Sequence, residues 1–177
     1  RLRGQAGTDA TMPACWPAGS WIVRMDGRPR QITLSSGERG LARHYRVGPA
    51  SRGYDDPVYV HRVEAFEGLG LRPLSACHLR AVTASDGVRL CWTRRTRIDG
   101  DSWSGLDVPL GEASERYLAR VRQGQSVVRE EFVSAPLWTY GTAMRAADGV
   151  TAPFEVEVAQ VSESFGAGPF TGVTIND

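Results

Sequence analysis

Short runs in which apolar and polar residues alternate, separated by turn residues, most constrain the fold of this chain. Alternation places successive side chains on opposite faces of an extended strand. The clearest run is FEVEVAQVS, in which Phe154, Val156 and Val158 alternate with Glu155 and Glu157. The 20 Gly and 10 Pro residues are spread along the chain and mark turns between such runs. Because helical periodicity is scarce, the pattern predicts an all-β protein.

The alternation is most regular in the second part of the chain, which reads as seven strands with the patterning of an immunoglobulin-like sandwich. Leu90 and Trp92 share one face of GVRLCWT, and Tyr117 begins the alternation of RYLARV. A Trp on the second strand and a Tyr on the third match the core pattern of fibronectin type III domains. We therefore expect a buried core that contains Leu90, Trp92, Tyr117, Val156 and Val158.

The first part of the chain also shows short alternating runs, which are SWIVRM, RQITL, HYRVGPA and PVYVHRVEAF. The Gly- and Pro-containing stretch GLGLRPLSA then breaks the pattern, as a domain boundary would. We predict two domains, a small β-rich domain over residues 1–70 and a fibronectin type III-like sandwich over residues 71–177. The opening RLRGQAGTD, without a Met, suggests a piece of a longer protein.

Composition argues against several classes of partner. The net charge is +1, whereas a nucleic-acid-binding domain usually carries a clustered basic face. No stretch approaches the roughly 20 apolar residues that a membrane span needs. The three cysteines fit neither a zinc-ligand spacing nor a disulfide framework. We expect no nucleic-acid partner, no membrane span and no metal or other cofactor.

The stretch RRTRIDGDSWSGLDVPLGE, between two predicted strands, is much longer than the roughly 4–6 residues of a usual connection. Its carboxylates could bind calcium, but the spacing of an EF-hand is not met. The preferred interpretation is that its arginines pair with those carboxylates and hold the connection against the sandwich. Its Trp is either a contact for sugar or protein or a plug for the end of the sandwich. The candidate contact residues are Arg94, Arg95, Arg97, Asp99, Asp101, Trp103 and Asp107.

The sequence lacks the motifs of common catalytic sites. It has no strained nucleophile turn of the G-x-S-x-G type. The Gly-rich ESFGAGPF contains no Lys, so it is not a phosphate-binding loop. Two carboxylates could act as a glycosidase pair only in a cleft of fixed width, which no pattern here indicates. His44, His61 and His78 are scattered among different predicted strands. We expect a non-enzymatic protein.

Several blocks resemble one protein family. GLRPLSACHLRA, WTRRTRIDGDSW, DVPLGEASERY and FEVEVAQVSESFG resemble the C-terminal region of the large host-specificity, or megatron, protein of alphaproteobacterial gene transfer agents and related siphophages. RLRGQAGTD, WIVRMDG and RHYRVGPA resemble the strand-rich segment just upstream in the same proteins. The resemblance covers essentially the whole chain. Cys77 departs from it, since a Val, a Pro or a similar small residue is expected there.

The resemblance implies a structural role at the tip of a phage-like tail. Members of the family cap the tail tube as a trimeric baseplate hub and carry modules that contact the host. Their glycosidase-like barrel lies upstream of the matching region, so none of its catalytic residues has a counterpart here. The expected partners are other tail or baseplate proteins, further copies in a homotrimer, and a host surface receptor or glycan. The expected location is the tail tip of a virion or gene transfer agent particle.

An alternative is a carbohydrate-binding module that recognises a host surface glycan. Such a module needs a row of exposed aromatic rings, for which Trp103, Trp138 and Tyr140 are the candidates. Trp138 and Tyr140 share one face of LWTYG by alternation. That face is more simply explained as part of the core.

Overall fold

The computed structural model describes residues 13, 15–24, 26–30, 32–100 and 107–176. They divide into two compact units, a first unit of Pro13–Leu69 and a second unit of Gly70–Asp177. The division therefore falls after Leu69, and the sequence analysis placed its boundary after residue 70.

The first unit contains one antiparallel hairpin, formed by β1 (Arg43–Val47) and β2 (Val60–Glu64). A single 3-10 turn, Ser36–Glu38, precedes it within the described residues. The strands predicted in SWIVRM and RQITL were wrong for the residues described there. The side chain of Trp21 is 94% exposed, so alternation at this point serves no buried face. Alternation alone does not make a strand, which also needs a partner strand, as β1 and β2 provide for each other.

The second unit consists of two antiparallel sheets, a short strand at the end of one of them, and one short helix. The first sheet has the order β3-β4-β7 and the second the order β10-β8-β5-β6, while β9 pairs with β8. The elements are β3 (Cys77–Ala84), β4 (Gly87–Thr93), β5 (Tyr117–Gln123), β6 (Ser126–Val133), β7 (Leu137–Gly141), α1 (Thr142–Asp148), β8 (Phe154–Ser162), β9 (Gly166–Ala167) and β10 (Thr171–Ile175).

This strand order is that of a fibronectin type III-like β-sandwich. In an immunoglobulin constant domain the fourth strand joins the sheet of the first two. Here the fourth strand, β6, pairs instead with β5 in the other sheet. The hydroxyl of Thr171 donates to the carbonyl oxygen of Ala76 at 2.8 Å, which joins the start of β10 to the start of β3.

The core lies between the two sheets and follows the alternation of the strands. Leu90 and Trp92 point inward from β4, while Tyr117 points inward from β5 and Val156 and Val158 from β8. All five are at most 6% exposed. Apolar side chains at every second position of facing strands bury most of their area, which is the main stabilising contribution of such a sandwich.

The helix α1 was not predicted, because LWTYGTAMRA reads as one continuous strand. The strand β7 ends at Gly141 and α1 follows directly. Its residues include Ala and Met, which favour a helix. It is capped by Gly149 in the left-handed conformation, whose N–H reaches the carbonyl oxygens of Ala146 and Arg145. Neither α1 nor any other helix in the described ranges is long and apolar enough to cross a membrane.

Candidate functional site: the connection between β4 and β5

The long connection runs from residue 94 to residue 116, between the end of β4 and the start of β5. Its two ends are described, whereas Asp101 and Trp103, both predicted contact residues, lie outside the described residues. The described geometry of the site is therefore that of its base, where the two ends of the connection are held against the sandwich. The outgoing arm, which leaves β4, contains Arg94, Arg95 and Arg97. The returning arm, which leads into β5, contains Asp107.

Arg94 holds the returning arm at three points. Its guanidinium lies 2.7 Å from the carboxylate of Asp107 and donates to the carbonyl oxygen of Val108 at 2.7 Å. It also donates to the carbonyl oxygen of Pro109 at 3.2 Å. A guanidinium offers five donors in a fixed planar arrangement, so one side chain can fix a run of backbone.

Arg97 forms the second anchor. Its guanidinium lies 3.0 Å from a carboxylate oxygen of Glu112, and both side chains are largely shielded from water. The same guanidinium sits near the ring of Phe165, with its central carbon 5.8 Å from the ring centroid. Shielding makes this pair stronger than an exposed ion pair, since water screens it less. The prediction that the arginines pair with carboxylates is confirmed for Arg94 and Arg97.

Arg95 is held through its backbone rather than through a carboxylate. The side-chain amide of Gln160 accepts from the N–H of Arg95 at 2.6 Å and donates to its carbonyl oxygen at 2.8 Å. The guanidinium of Arg95 donates to the hydroxyl of Ser75 at 3.4 Å. Among the described carboxylates, none pairs with Arg95, and Asp101 lies outside the described residues. These two hydrogen bonds engage the backbone of Arg95 as a neighbouring strand would, and they attach the connection to β8.

Sequence reasoning missed Gln160, although a signal for it was present. Gln160 continues the series of Phe154, Val156 and Val158 along the inward face of β8, and it is buried. A polar residue at an inward position must find hydrogen-bond partners, because burying an unpaired amide costs free energy. The break in an otherwise apolar series therefore marks a residue that binds backbone.

Asp99 lies close to the end of the described outgoing arm, in the left-handed region with φ 47°. This conformation is uncommon outside Gly, although Asp and Asn tolerate it better than most residues. Just before it, the hydroxyl of Thr96 accepts from the N–H of Ile98 at 3.1 Å, which turns the chain. Asp99 is thus a turn residue in a locally bonded arm.

The calcium interpretation gains no support from the described carboxylates. Asp107 is paired with Arg94, and Glu112 is paired with Arg97. Within the described ranges, no group of three or more His, Cys, Asp or Glu side chains is placed to hold a metal ion. A cavity of about 10 Å³ lies between Arg94, Glu112 and Tyr117. That volume holds at most about one water molecule.

The aromatic row required by the carbohydrate-binding alternative does not form from Trp138 and Tyr140. Their side chains are 5% and 0% exposed, and the two rings stack inside the core with centroids 5.6 Å apart. The indole N–H of Trp138 donates to Glu131 at 3.2 Å. The preferred interpretation, that this face of LWTYG belongs to the core, is confirmed, because β7 turns it toward the opposite sheet.

A polar cluster closes the core beside these rings. The guanidinium of Arg129 donates twice to the carboxylate of Asp148, at 2.6 and 2.8 Å. The hydroxyl of Tyr140 donates to the same carboxylate at 2.9 Å. Hydrogen bonds from Arg129, joined by the bond from Tyr140, lower the pKa of Asp148. Burial, followed by the bond to Asp148, raises the pKa of Tyr140, so its hydroxyl stays protonated.

Comparison with known proteins adds little to this description. No family model matches the chain, and no curated protein matches it. Among solved structures, the chain is similar to domains d3-d4 of the extracellular region of rat CD45. The two are 10% identical, with a TM-score of 0.41 over 93% of this chain and 80% of that one. A likeness at this level carries no argument about function, and the fold assignment rests on the strand order described above.

Proposed function

We propose that this chain is a non-enzymatic structural component of a phage-like tail tip, of the megatron baseplate-hub kind, that acts in tail assembly and host-cell attachment. The class of assembly is suggested by the sequence blocks that resemble that family. The observation that carries the proposal is the contrast between the two units, since among the described residues a buried core is present in the second unit alone.

The second unit buries a continuous core between two sheets. Of the residues described between 13 and 69, by contrast, none is buried. Large apolar side chains there are exposed instead. They include Trp16, Trp21, Ile22, Val23 and Ile32. A two-stranded hairpin is marginal on its own in water, and an extensive exposed apolar surface marks a protein interface. An exposed apolar surface of this kind supports a role for the first unit as a subunit that packs against other proteins.

The second unit is suited to carry a contact element. The connection between β4 and β5 is anchored at its base by Arg94, Arg97 and Gln160. Long connections on a rigid scaffold are frequent binding elements. On this proposal the first unit packs with other tail proteins or with copies of itself in a trimer. The second unit faces a neighbouring protein or a host surface receptor.

Assembly can be tested by the mass of the chain in solution. We expect the second unit alone to be monomeric in analytical ultracentrifugation. The whole chain should self-associate or bind a hydrophobic dye. Replacing Trp21 and Ile22 together by Ser should reduce both behaviours, whereas replacing the exposed Val82 of β3 by Ser should not. A whole chain that stays monomeric and binds no dye would remove the main support for an assembly role.

Attachment can be tested by deleting Ile98–Gly105 in particles that carry this chain. Assembly or adsorption to cells should weaken while the sandwich stays folded, because the anchors of Arg94 and Gln160 remain. Shortening the exposed turn at Gly124 serves as the matched control. Normal adsorption by the deletion particles would contradict the role of this connection. Binding of the isolated chain to glycans that is lost in Trp103→Ala would favour the carbohydrate-binding alternative.

A further inference from the structure

Two histidines that lie far apart in the sequence meet on the hairpin of the first unit. In the register of β1 and β2, His44 lies opposite Val63 and His61 lies opposite Arg46. The two histidines are therefore diagonal neighbours on one face of the hairpin. Atom Nδ1 of His44 lies 2.9 Å from Nε2 of His61, and the two ring planes differ by 7°. Both side chains are exposed, so the pair is open to solvent and to solutes.

We infer that His44 and His61 form a two-histidine site for a divalent transition-metal ion of the class that prefers imidazole, such as Ni²⁺, Cu²⁺ or Zn²⁺. Bonds from imidazole nitrogen to such ions are about 2.0–2.1 Å long. Two nitrogens bound at a right angle around one ion are then about 2.9 Å apart, and at a tetrahedral angle about 3.3 Å. The observed separation of 2.9 Å matches adjacent positions around a square or octahedral ion. Such an ion needs only a rotation of the rings that turns both lone pairs toward it.

Binding of the ion requires one ring to move its proton to its outward nitrogen, and neither ring loses or gains a proton. Between the two facing nitrogens one ring donates its N–H and the other accepts it. When the ion binds, the donating ring takes its other neutral tautomer, with the proton on its outward nitrogen. Both facing nitrogens then offer a lone pair to the ion. Water, or a group from another chain, fills the remaining positions.

The charges around the pair set its strength. Arg46, opposite His61, is the nearest cation by register, and it lies 3.9 Å from the carboxylate of Asp55, which partly offsets its charge. Two neutral ligands beside an arginine make a site of modest affinity, selective for ions that bind nitrogen firmly. Magnesium and calcium prefer oxygen ligands, and they should not bind here.

The third histidine of the chain provides an internal control. His78 belongs to β3 in the second unit, whereas the hairpin belongs to the first. We propose to titrate the whole chain with Ni²⁺ alone and to follow the imidazole resonances by NMR. The signals of His44 and His61 should broaden together below one equivalent, while those of His78 stay sharp. Equal broadening of all three, or no change at one equivalent, would overturn the site.

Histidine variants distinguish metal binding at the proposed site from metal binding by other side chains of the chain. His44→Asn and His61→Asn should each weaken Ni²⁺ binding at least tenfold in calorimetry, because each removes one of two ligands. His78→Asn should leave binding unchanged. The three free cysteines are a competing explanation, so the titration is repeated after alkylation, which the proposed site should survive. Binding that alkylation abolishes, or that His44→Asn leaves intact, would contradict the proposal. Far-ultraviolet circular dichroism should be unchanged in all three variants, since all three histidine side chains are exposed.

Discussion

The indole of Trp92 meets the ring of Tyr117 edge to face, with the ring centroids 5.1 Å apart. Trp92 belongs to β4 in one sheet and Tyr117 to β5 in the other, so this contact joins the two layers of the sandwich. Edge-to-face pairs of this kind contribute about 0.5–1.5 kcal/mol beyond the area that they bury. The anchored connection begins two residues after Trp92 and ends just before Tyr117.

Replacing Trp92 by Ala should destabilise the second unit by about 3–5 kcal/mol, because it removes a large buried side chain and leaves a cavity. Denaturant unfolding followed by circular dichroism measures the change. Cys91→Ser is the matched control, since this neighbour on β4 is exposed and should change stability little. Equal stabilities of Trp92→Ala and the natural chain would show that the indole does not carry the core.

Replacing Gln160 by Leu should cost about 2 kcal/mol, because two hydrogen bonds to the backbone of Arg95 are lost and their backbone partners stay shielded. The amide hydrogen of Arg95 should then exchange with solvent faster. Gln125→Leu in the exposed turn after β5 provides the comparison and should have little effect. An unchanged exchange rate of the Arg95 amide hydrogen would argue against these two hydrogen bonds as an anchor of the connection.

Acid should destabilise the sandwich partly through Asp148. Its pKa is lower in the folded chain than in the unfolded chain, chiefly because Arg129 donates to it. Its contribution is therefore fully present above the unfolded pKa of about 3.9 and is lost as the pH falls through the lower folded pKa. Asp148→Asn should make the loss of stability below about pH 4 shallower, as measured by urea unfolding at several pH values. If the stability of the variant and of the natural chain falls equally with pH, Asp148 does not contribute to the acid sensitivity.

Replacing Gly87 by Ala should cost at least about 2 kcal/mol. Gly87 has φ 137°, and a Cβ atom there would lie 2.3 Å from the carbonyl oxygen of Tyr140 and 2.7 Å from Cα of Gly141. Gly124→Ala is the comparison, because Gly124 also has a positive φ but faces open space. This substitution should lower the stability by about 1 kcal/mol. Thermal unfolding should rank the two variants in this order, and the reverse order would contradict the predicted clash.

The strands of the second unit were predictable because their alternation has a physical cause. Leu90, Trp92 and Val156 fall at every second position, since each inward side chain gains from burial between the sheets. Helix α1 was missed because seven residues are too few to show a helical period after the strand that ends at Gly141. In the first unit, HYRVGPA and PVYVHRVEAF contain the paired strands β1 and β2, whereas alternation in SWIVRM and RQITL gave false strands.

Contacts that depend on strand register, or on the path of a long connection, could not be predicted. His44 and His61 meet only because β1 and β2 pair with one particular offset, which the sequence between them does not specify. The choice of Glu112 rather than Asp99 as the partner of Arg97 likewise depends on how the connection returns. Gln160 differs, because a polar residue in an inward series is visible in the sequence itself.

The bond from Thr171 to Ala76 sets how the second unit would respond to mechanical load. Because β3 and β10 begin at the same end and lie at neighbouring edges of the two sheets, the chain enters the sandwich at one end and leaves it at the other. Tension on the two ends would slide these strands lengthwise, so that many ladder bonds must break together. A module threaded in this way resists extension better than one whose terminal strands can be peeled off bond by bond.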